Sequence, residues 1–548
     1  MLCRAAVVCN RPQLLLRSSR SSPFNRRSYS TAPARPSTMT SAVAAPAADY
    51  EALAKKLKDI SALGGISGLL GWDEMVQLPS GAGEARANQK AALAGVLHEK
   101  QIDPAIGDLI NRLKSSDLSS LNEFQRATVR EAAREYLKST AVTEKLVRQE
   151  AELESRGYAT WVKARQENDF SKFAAVLKEW VEIKKERASL VDPSKPPYDV
   201  LADDYSAGLT AERVKEIFDQ VKAGLIPFLA ELKAKGTAPD ASWLKGEYNT
   251  DAQAQLCREI AVDLGFDLEK GRLDVSVHPF TGGAHPTDVR MTTRFKIEDL
   301  TEGITGAVHE TGHALYEQGR NLEYDGLPVN SAAGMAIHES QSLLWERMVA
   351  LSEPFCEYLL PKLHAAFPTE FPKNKTAKDL YEAINVIKDP SLVRVESDEV
   401  TYPMHIILRF EIEKELVEGT LQVDDIPKVW NAKMKEYLGV EPENDAQGCL
   451  QDVHWSAGLF GYFPTYTLGA MAAVQIFQAA RKDLPNLDDD IAAGKFSELK
   501  SWLNEKVHKL GSLHPTADDL LEVVTGKPLD PQLFLDYLKT KYTKLYQL

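Results

Sequence analysis

Three residues concentrate more potential chemistry than any others in this chain: His309, Glu310 and His313, in the run His309-Glu310-Thr311-Gly312-His313. This is an H-E-x-x-H pattern. On an α-helix, residues four apart lie on one face. His309 and His313 can then both aim an imidazole nitrogen at one point about 2 Å from each, a zinc-ligand distance. Glu310 is next to His309 and cannot easily join the same tetrahedron. It can reach a water held on the metal, which is the place of a general base.

A catalytic zinc takes three protein ligands and keeps one open position. Glu339, 26 residues beyond His313, is the expected third ligand, with His338 as its competitor. Glu339 is favoured because one anionic oxygen with two neutral imidazoles is a common catalytic zinc set. Three fixed letters recur by chance in large sequence sets, and a lone Glu on a helix is usually a solvated charge. The weight of the argument therefore falls on the elements around them.

The pattern needs a helix, and the sequence allows one. Thr301, or Asp299 just before it, can serve as N-cap. Ile304, Ala307, Val308, Ala314 and Leu315 form an apolar stripe near the 3.6 period. Gly306 and Gly312 weaken the helix by about 1 kcal/mol each relative to Ala. Their missing side chains would let another backbone or a substrate approach. Gly319 is the expected stop. Glu339 lies in a second helical pattern, 334–348, and the stretch 319–334 between them is rich in turn formers. Two antiparallel helices joined there would bring His309, His313 and Glu339 together.

The 548 residues suffice for a large core, and 44% hydrophobic content is ordinary for a globular chain. A net charge of −14 argues against a general binder of nucleic acid or anionic membrane. No apolar run reaches the ~18 residues of a membrane-spanning helix. Five scattered cysteines show neither zinc-ribbon spacing nor a disulfide framework, which suits a reducing compartment.

Residues 1–48 differ from the rest. They hold seven arginines, many serines and no acid. That composition marks a disordered mitochondrial or plastid transit peptide, with Arg27-Ser28-Tyr29-Ser30 resembling a processing site. Its removal would take away Cys3 and Cys9 and move the net charge from −14 to −21. A cytoplasmic chain starting at Met39 is the alternative. Residues 49–548 read as one domain. Segments 50–63, 84–99, 120–190, 210–234, 376–420 and 424–438 show helical spacing, with loops at 78–81 and 192–197. The stretch 271–295 instead alternates: Leu273, Val275 and Val277, then Val289 and Met291. It predicts a short hairpin or small sheet whose edge could hold an extended peptide. A Gly- and aromatic-rich loop with His454, Tyr462 and Tyr466 runs into an apolar helix by 480. A His and a Tyr there could stabilise an oxyanion.

Several stretches resemble one family, the carboxypeptidase Taq family of zinc metallocarboxypeptidases. They are His278-Pro279-Phe280, Asp288-Val289-Arg290-Met291-Thr292, the H-E-x-x-H run, His338-Glu339-Ser340-Gln341-Ser342, and 448–455 (GCLQDVHW). Weaker matches are Leu70-Gly71-Trp72-Asp73, the run 394–402 and the end around 525–528. Ser397 stands where the family has a small residue, often Ala. The resemblance covers about residues 50–546. It implies an all-α fold with a deep cleft and a homodimer. It also implies zinc, replaceable by cobalt, on His309, His313 and Glu339, and removal of single C-terminal residues with broad specificity. On that footing Glu310 is the base, and His454 and Tyr466 stabilise the oxyanion. A carboxypeptidase also needs a cation for the substrate carboxylate. Arg394, Arg409 and Tyr402 are the candidate groups, and Arg290 follows. An endopeptidase or dipeptidyl carboxypeptidase on a related cleft, or a zinc-binding protein without turnover, are the alternatives.

Overall fold

The structure is a computed structural model and describes residues 46–276 and 278–548. Most of the expected leader, and Val277, lie outside the described residues. Residues 46–48 open the first helix, Pro46–Val76. The chain is built almost wholly of α-helices around a large apolar core, with one small sheet.

Local caps decide where the helices break. The expected helical stretch 120–190 is three helices, Glu123–Ala141, Glu144–Gln166 and Ser171–Val191. Asn122 and Gln125 form a capping box on the first, and the Thr143 hydroxyl accepts the Leu146 N–H on the second. The stretch 376–420 also needs correction. Helix Ala377–Ile384 ends, irregular chain with a short turn at Arg394–Glu396 follows, and helix resumes at Tyr402–Glu418. Pro390 offers no N–H to a helix, whereas Pro403 sits in a first turn, where none is needed.

The sheet has strands β1 (Gly271–Val275), β2 (Phe280–His285) and β3 (Asp288–Thr293), in the order β1-β3-β2. The expected alternating stretches are β1 and β3, which join a small sheet and not a hairpin; the Gly/Pro loop expected between them supplies β2, which pairs antiparallel with β3. β1 flanks β3 on the other side and runs parallel to it. The first helix packs on β2 so closely that a Cβ at Gly65 would lie 2.5 Å from the Ala284 carbonyl oxygen.

Three helices enclose the H-E-x-x-H residues. The motif helix, Leu300–Gln318, is capped by Asp299, whose carboxylate accepts from Thr301 N at 3.0 Å and Glu302 N at 3.2 Å. Gly319 ends it in right-handed backbone, φ −87°, so no left-handed turn explains that glycine. Any Cβ there would strike Asn504 and His508. The second helix, Met335–Leu343, passes into a wider π-turn over Leu344–Ala350. The third, Pro464–Asp483, is buried along most of its length. At Gly469 it comes so near that a Cβ would be 2.9 Å from Glu339 Cβ.

Gly312 sets the distance between the first two helices. A Cβ there would meet the Gln341 carbonyl oxygen and Ser342 Cα, each at 2.6 Å. Both obstacles are backbone, so neither can rotate away. Gly312→Ala should gain about 1 kcal/mol of helix propensity and lose about 1–3 kcal/mol to overpacking. We expect a lower melting temperature in the metal-free protein and weaker metal retention. A raised melting temperature, which helix propensity alone would give, would show that the two backbones are not in this contact.

Candidate active site

His309 and His313 project from the motif helix and Glu339 from the second helix. One ligand atom from each lies within 4.8 Å of the others. Glu339 Oε2 is 3.4 Å from His313 Nε2 and 4.0 Å from His309 Nε2. Tetrahedral zinc with ligands near 2.0–2.1 Å separates its donors by about 3.3 Å. The donor types and spacings therefore fit a single metal ion. All three residues are buried.

Each histidine is fixed from behind. His309 Nδ1 lies 2.6 Å from Glu346 Oε2. His313 Nδ1 lies 2.6 Å from His338 Nδ1, and His338 Nε2 lies 2.7 Å from Glu317 Oε1. Burial pushes Glu317 up, but the Arg320 charge and the His338 bond overcome it and hold the acid at about 2. Glu317 is thus an ionised acceptor, and burial keeps His338 neutral. These two facts assign the protons. His338 Nε2–H donates to Glu317, and His338 Nδ1 accepts from His313 Nδ1–H. The lone pair of His313 is then on Nε2, facing Glu339. Donation from His309 Nδ1 to Glu346 has the same result. His338 is consequently not a ligand here, because both of its ring nitrogens already have partners.

Glu310 is held from the sheet. Thr281 Oγ1, on β2, lies 2.7 Å from Glu310 Oε2 and 3.0 Å from the Glu310 carbonyl oxygen. The carboxylate is thereby oriented as an acceptor. A cavity of about 720 Å³ reaches Thr281, Met335 and His338. His338, on its wall, is next to Glu339 in the chain.

The remaining expected residues form a second cluster. His454 Nε2 is 3.2 Å from the Tyr466 hydroxyl. Burial lowers His454 to about 3 and raises the Tyr466 phenol well above its ordinary value. Both are neutral at pH 7, and Tyr466 is near enough to Glu339 to feel its charge. The Tyr462 ring packs on Tyr466 at 5.3 Å between centroids. Arg394 gives its Nε and Nη2 to Asp452 Oδ1 at 3.0 and 2.7 Å and its Nη1 to the Tyr402 hydroxyl at 2.9 Å. Arg409 donates to Asp452 Oδ2 at 2.6 Å and to Gln451 at 2.8 Å, under the ring of Trp430. It is wholly enclosed. Arg290 is pinned by Asp288 at 2.7 Å and stacks on Trp72.

Sequence reasoning missed Thr281, Glu346, Glu317 and Arg320. Glu346 was within reach of it, being seven residues beyond Glu339 and so on much the same helical face. Thr281 follows the His278-Pro279-Phe280 motif directly but is brought to Glu310 only by the sheet.

The ligand set yields a graded prediction. Glu339→Gln should lower metal affinity by orders of magnitude, since the only anionic ligand is gone. Glu346→Gln should lower it about 10–100-fold, the usual cost of losing a partner behind a ligand. Competition with a chelator ranks the two. Equal affinities in Glu339→Gln and wild type would remove Glu339 from the site.

Comparison with known proteins gives the family of the chain. The family model of the carboxypeptidase Taq (M32) metallopeptidases matches residues 52–542. Thermostable carboxypeptidase 1 of Thermus thermophilus is 38% identical over 512 residues, covering 91% of this chain and 99% of the relative. Carboxypeptidase 1 of Bacillus subtilis is 36% identical, covering 90% and 97%. Among solved structures, an M32 carboxypeptidase from Deinococcus radiodurans superposes with a TM-score of 0.87 at 34% identity, over 91% of this chain and all of that one. A metallocarboxypeptidase 1 of Trypanosoma cruzi gives 0.86 at 35%, over 91% of this chain. This chain, whose described helices bring two histidines and a glutamate into one buried group that could hold a metal ion, belongs to the carboxypeptidase Taq (M32) family of metallopeptidases, which hydrolyse peptides.

Proposed function

We propose that this chain removes single residues from the C-termini of peptides, using a metal ion held by His309, His313 and Glu339. The observation that carries this most directly is the buried group of two histidines and a glutamate at metal-ligand spacing, with Glu310, next to His309 in the chain, held by Thr281. The His₂Glu donor set is one that suits zinc. When bound, such a metal supplies Lewis-acid polarisation of the scissile carbonyl.

The residues of the chain do the rest. Glu310 takes a proton from the attacking water on its carboxylate and returns it to the departing amine. Its bond from Thr281 keeps the acceptor in place through both transfers. With its proton on Nε2, His454 donates to the Tyr466 oxygen. The Tyr466 O–H is then left to donate to the developing oxyanion. The phenol stays protonated because burial disfavours its anion.

The C-terminal preference calls for a fixed cation near the far end of the substrate. Asp452 is shared between Arg394 and Arg409 and neutralises only one of them. The cluster keeps a net positive charge in a buried setting, and His454 beside it is neutral. Arg394, aided by Tyr402, is the member that meets substrate. Arg409 holds Asp452 in place. No observation favours the endopeptidase or the non-catalytic alternative.

Glu310→Gln separates binding from chemistry. It keeps size and shape, so metal content should equal wild type, while the proton acceptor is lost. We expect kcat to fall by about 10²–10⁴-fold or more with little change in KM. A fully metal-loaded variant that trims peptides within about tenfold of wild type, short of the general-base range, would show that Glu310 is not the base.

A further inference from the structure

Arg347 is a buried arginine that the site described so far does not use. It lies in the π-turn Leu344–Ala350, one residue after Glu346, which supports His309. Wide turns of this kind often occur where a helix presents side chains to a functional site. Arg347 is 6% exposed, and its Nη1 is buried with no hydrogen-bond partner among the described residues. A buried guanidinium nitrogen without a hydrogen-bond partner is costly, and such an atom in a native fold calls for an explanation.

The nearby acids do not supply one. Glu346 is engaged with His309. Glu399 is taken by Lys541, with Tyr537 and Tyr542 also donating to it. The contact that Arg347 does make is with an aromatic face: its guanidinium carbon is 5.2 Å from the centre of the Tyr402 ring. Arg394, on the same ring, has its guanidinium carbon 5.8 Å from that centre. The two guanidinium carbons are therefore no more than 11.0 Å apart, the sum of those distances. The two carboxyl carbons of a C-terminal glutamate stand on the order of 5 Å apart by bond lengths alone. With an ion-pair contact of about 4 Å at each end, its reach extends to that upper limit.

We propose that Arg347 determines specificity by binding an acidic side chain on the departing C-terminal residue. This rests on the carboxypeptidase reading, in which Arg394 holds the α-carboxylate of the same residue. A C-terminal Glu then fills both cations, Leu fills one, and Lys places a like charge against Arg347. The chain is thus a carboxypeptidase of broad scope with a built-in preference for acidic ends.

The test compares kcat/KM of the metal-loaded wild type, Arg347→Gln, Arg347→Lys and Arg394→Gln on one blocked peptide ending in Glu, Gln, Leu or Lys. Wild type should favour Glu over Lys. Arg347→Gln should lose about tenfold or more on Glu, as expected for an unpaired charge at a site built to bond it. Its rate on Leu should stay within about twofold, and Arg347→Lys should keep part of the preference for Glu. An equal loss on all four peptides, or no change in the Glu/Leu ratio, overturns the proposal. Arg394→Gln reports separately on the reading beneath it: a uniform loss supports the α-carboxylate anchor, and no loss removes it whatever Arg347 does.

Discussion

The structure depends above all on the hydrogen bonds made on the far side of the two histidines. A metal ligand must offer a lone pair at one point, and an imidazole has two nitrogens and one mobile proton. Glu346 settles the question for His309, and the chain through His338, Glu317 and Arg320 settles it for His313. Without these bonds each ring would divide its population between tautomers and rotamers. With them, both Nε2 lone pairs face Glu339 before any ion arrives. Buried carboxylates are expensive unless bonded, and here each has a partner whose orientation matters.

That constraint explains much of the surrounding packing. The partners behind the histidines lie on other helices or later turns, so the helices must approach closely. Gly312 and Gly469 allow it by leaving no Cβ between backbones. The sheet has one evident local task, the delivery of Thr281 to Glu310. The cluster around Asp452 follows the same economy: two arginines share one acid, and a net charge is retained where the substrate's anionic end is expected.

Much of this was legible in the sequence because the motif is local. Four-residue spacing on a helix places His309 and His313 without knowledge of the fold, and Glu339 followed from the second helical pattern. The choice of Glu339 over His338 was open on spacing alone, since adjacent residues on a helix differ by only one step. It is the partners of His338, Glu317 and His313, that exclude it as a ligand. Thr281 could not be found because it is 29 residues from Glu310 and the two meet only through the sheet. Arg394 and Arg409 are equal candidates by sequence and both are buried; their partners separate them, Arg394 reaching the Tyr402 hydroxyl while Arg409 is spent on Asp452, Gln451 and the His405 carbonyl, and partners are a tertiary property. Arg347 has no such signal: nothing in LWERM tells a buried arginine with an unbonded nitrogen from a solvated one. The helix breaks after 141 and 166 were missed for a simpler reason, since polar caps look like ordinary surface residues inside an Ala- and Glu-rich run.

The central claim is that the site releases residues one at a time from a free C-terminus. Mass spectrometry of a peptide incubated with the metal-loaded chain, beside the same peptide with its C-terminus amidated, tests this most directly. The account predicts a ladder of products shortened from the C-terminal end by one residue at each step, and an amidated peptide left almost intact. Internal fragments, losses of two residues at a time, or equal cleavage of the amidated peptide would contradict it.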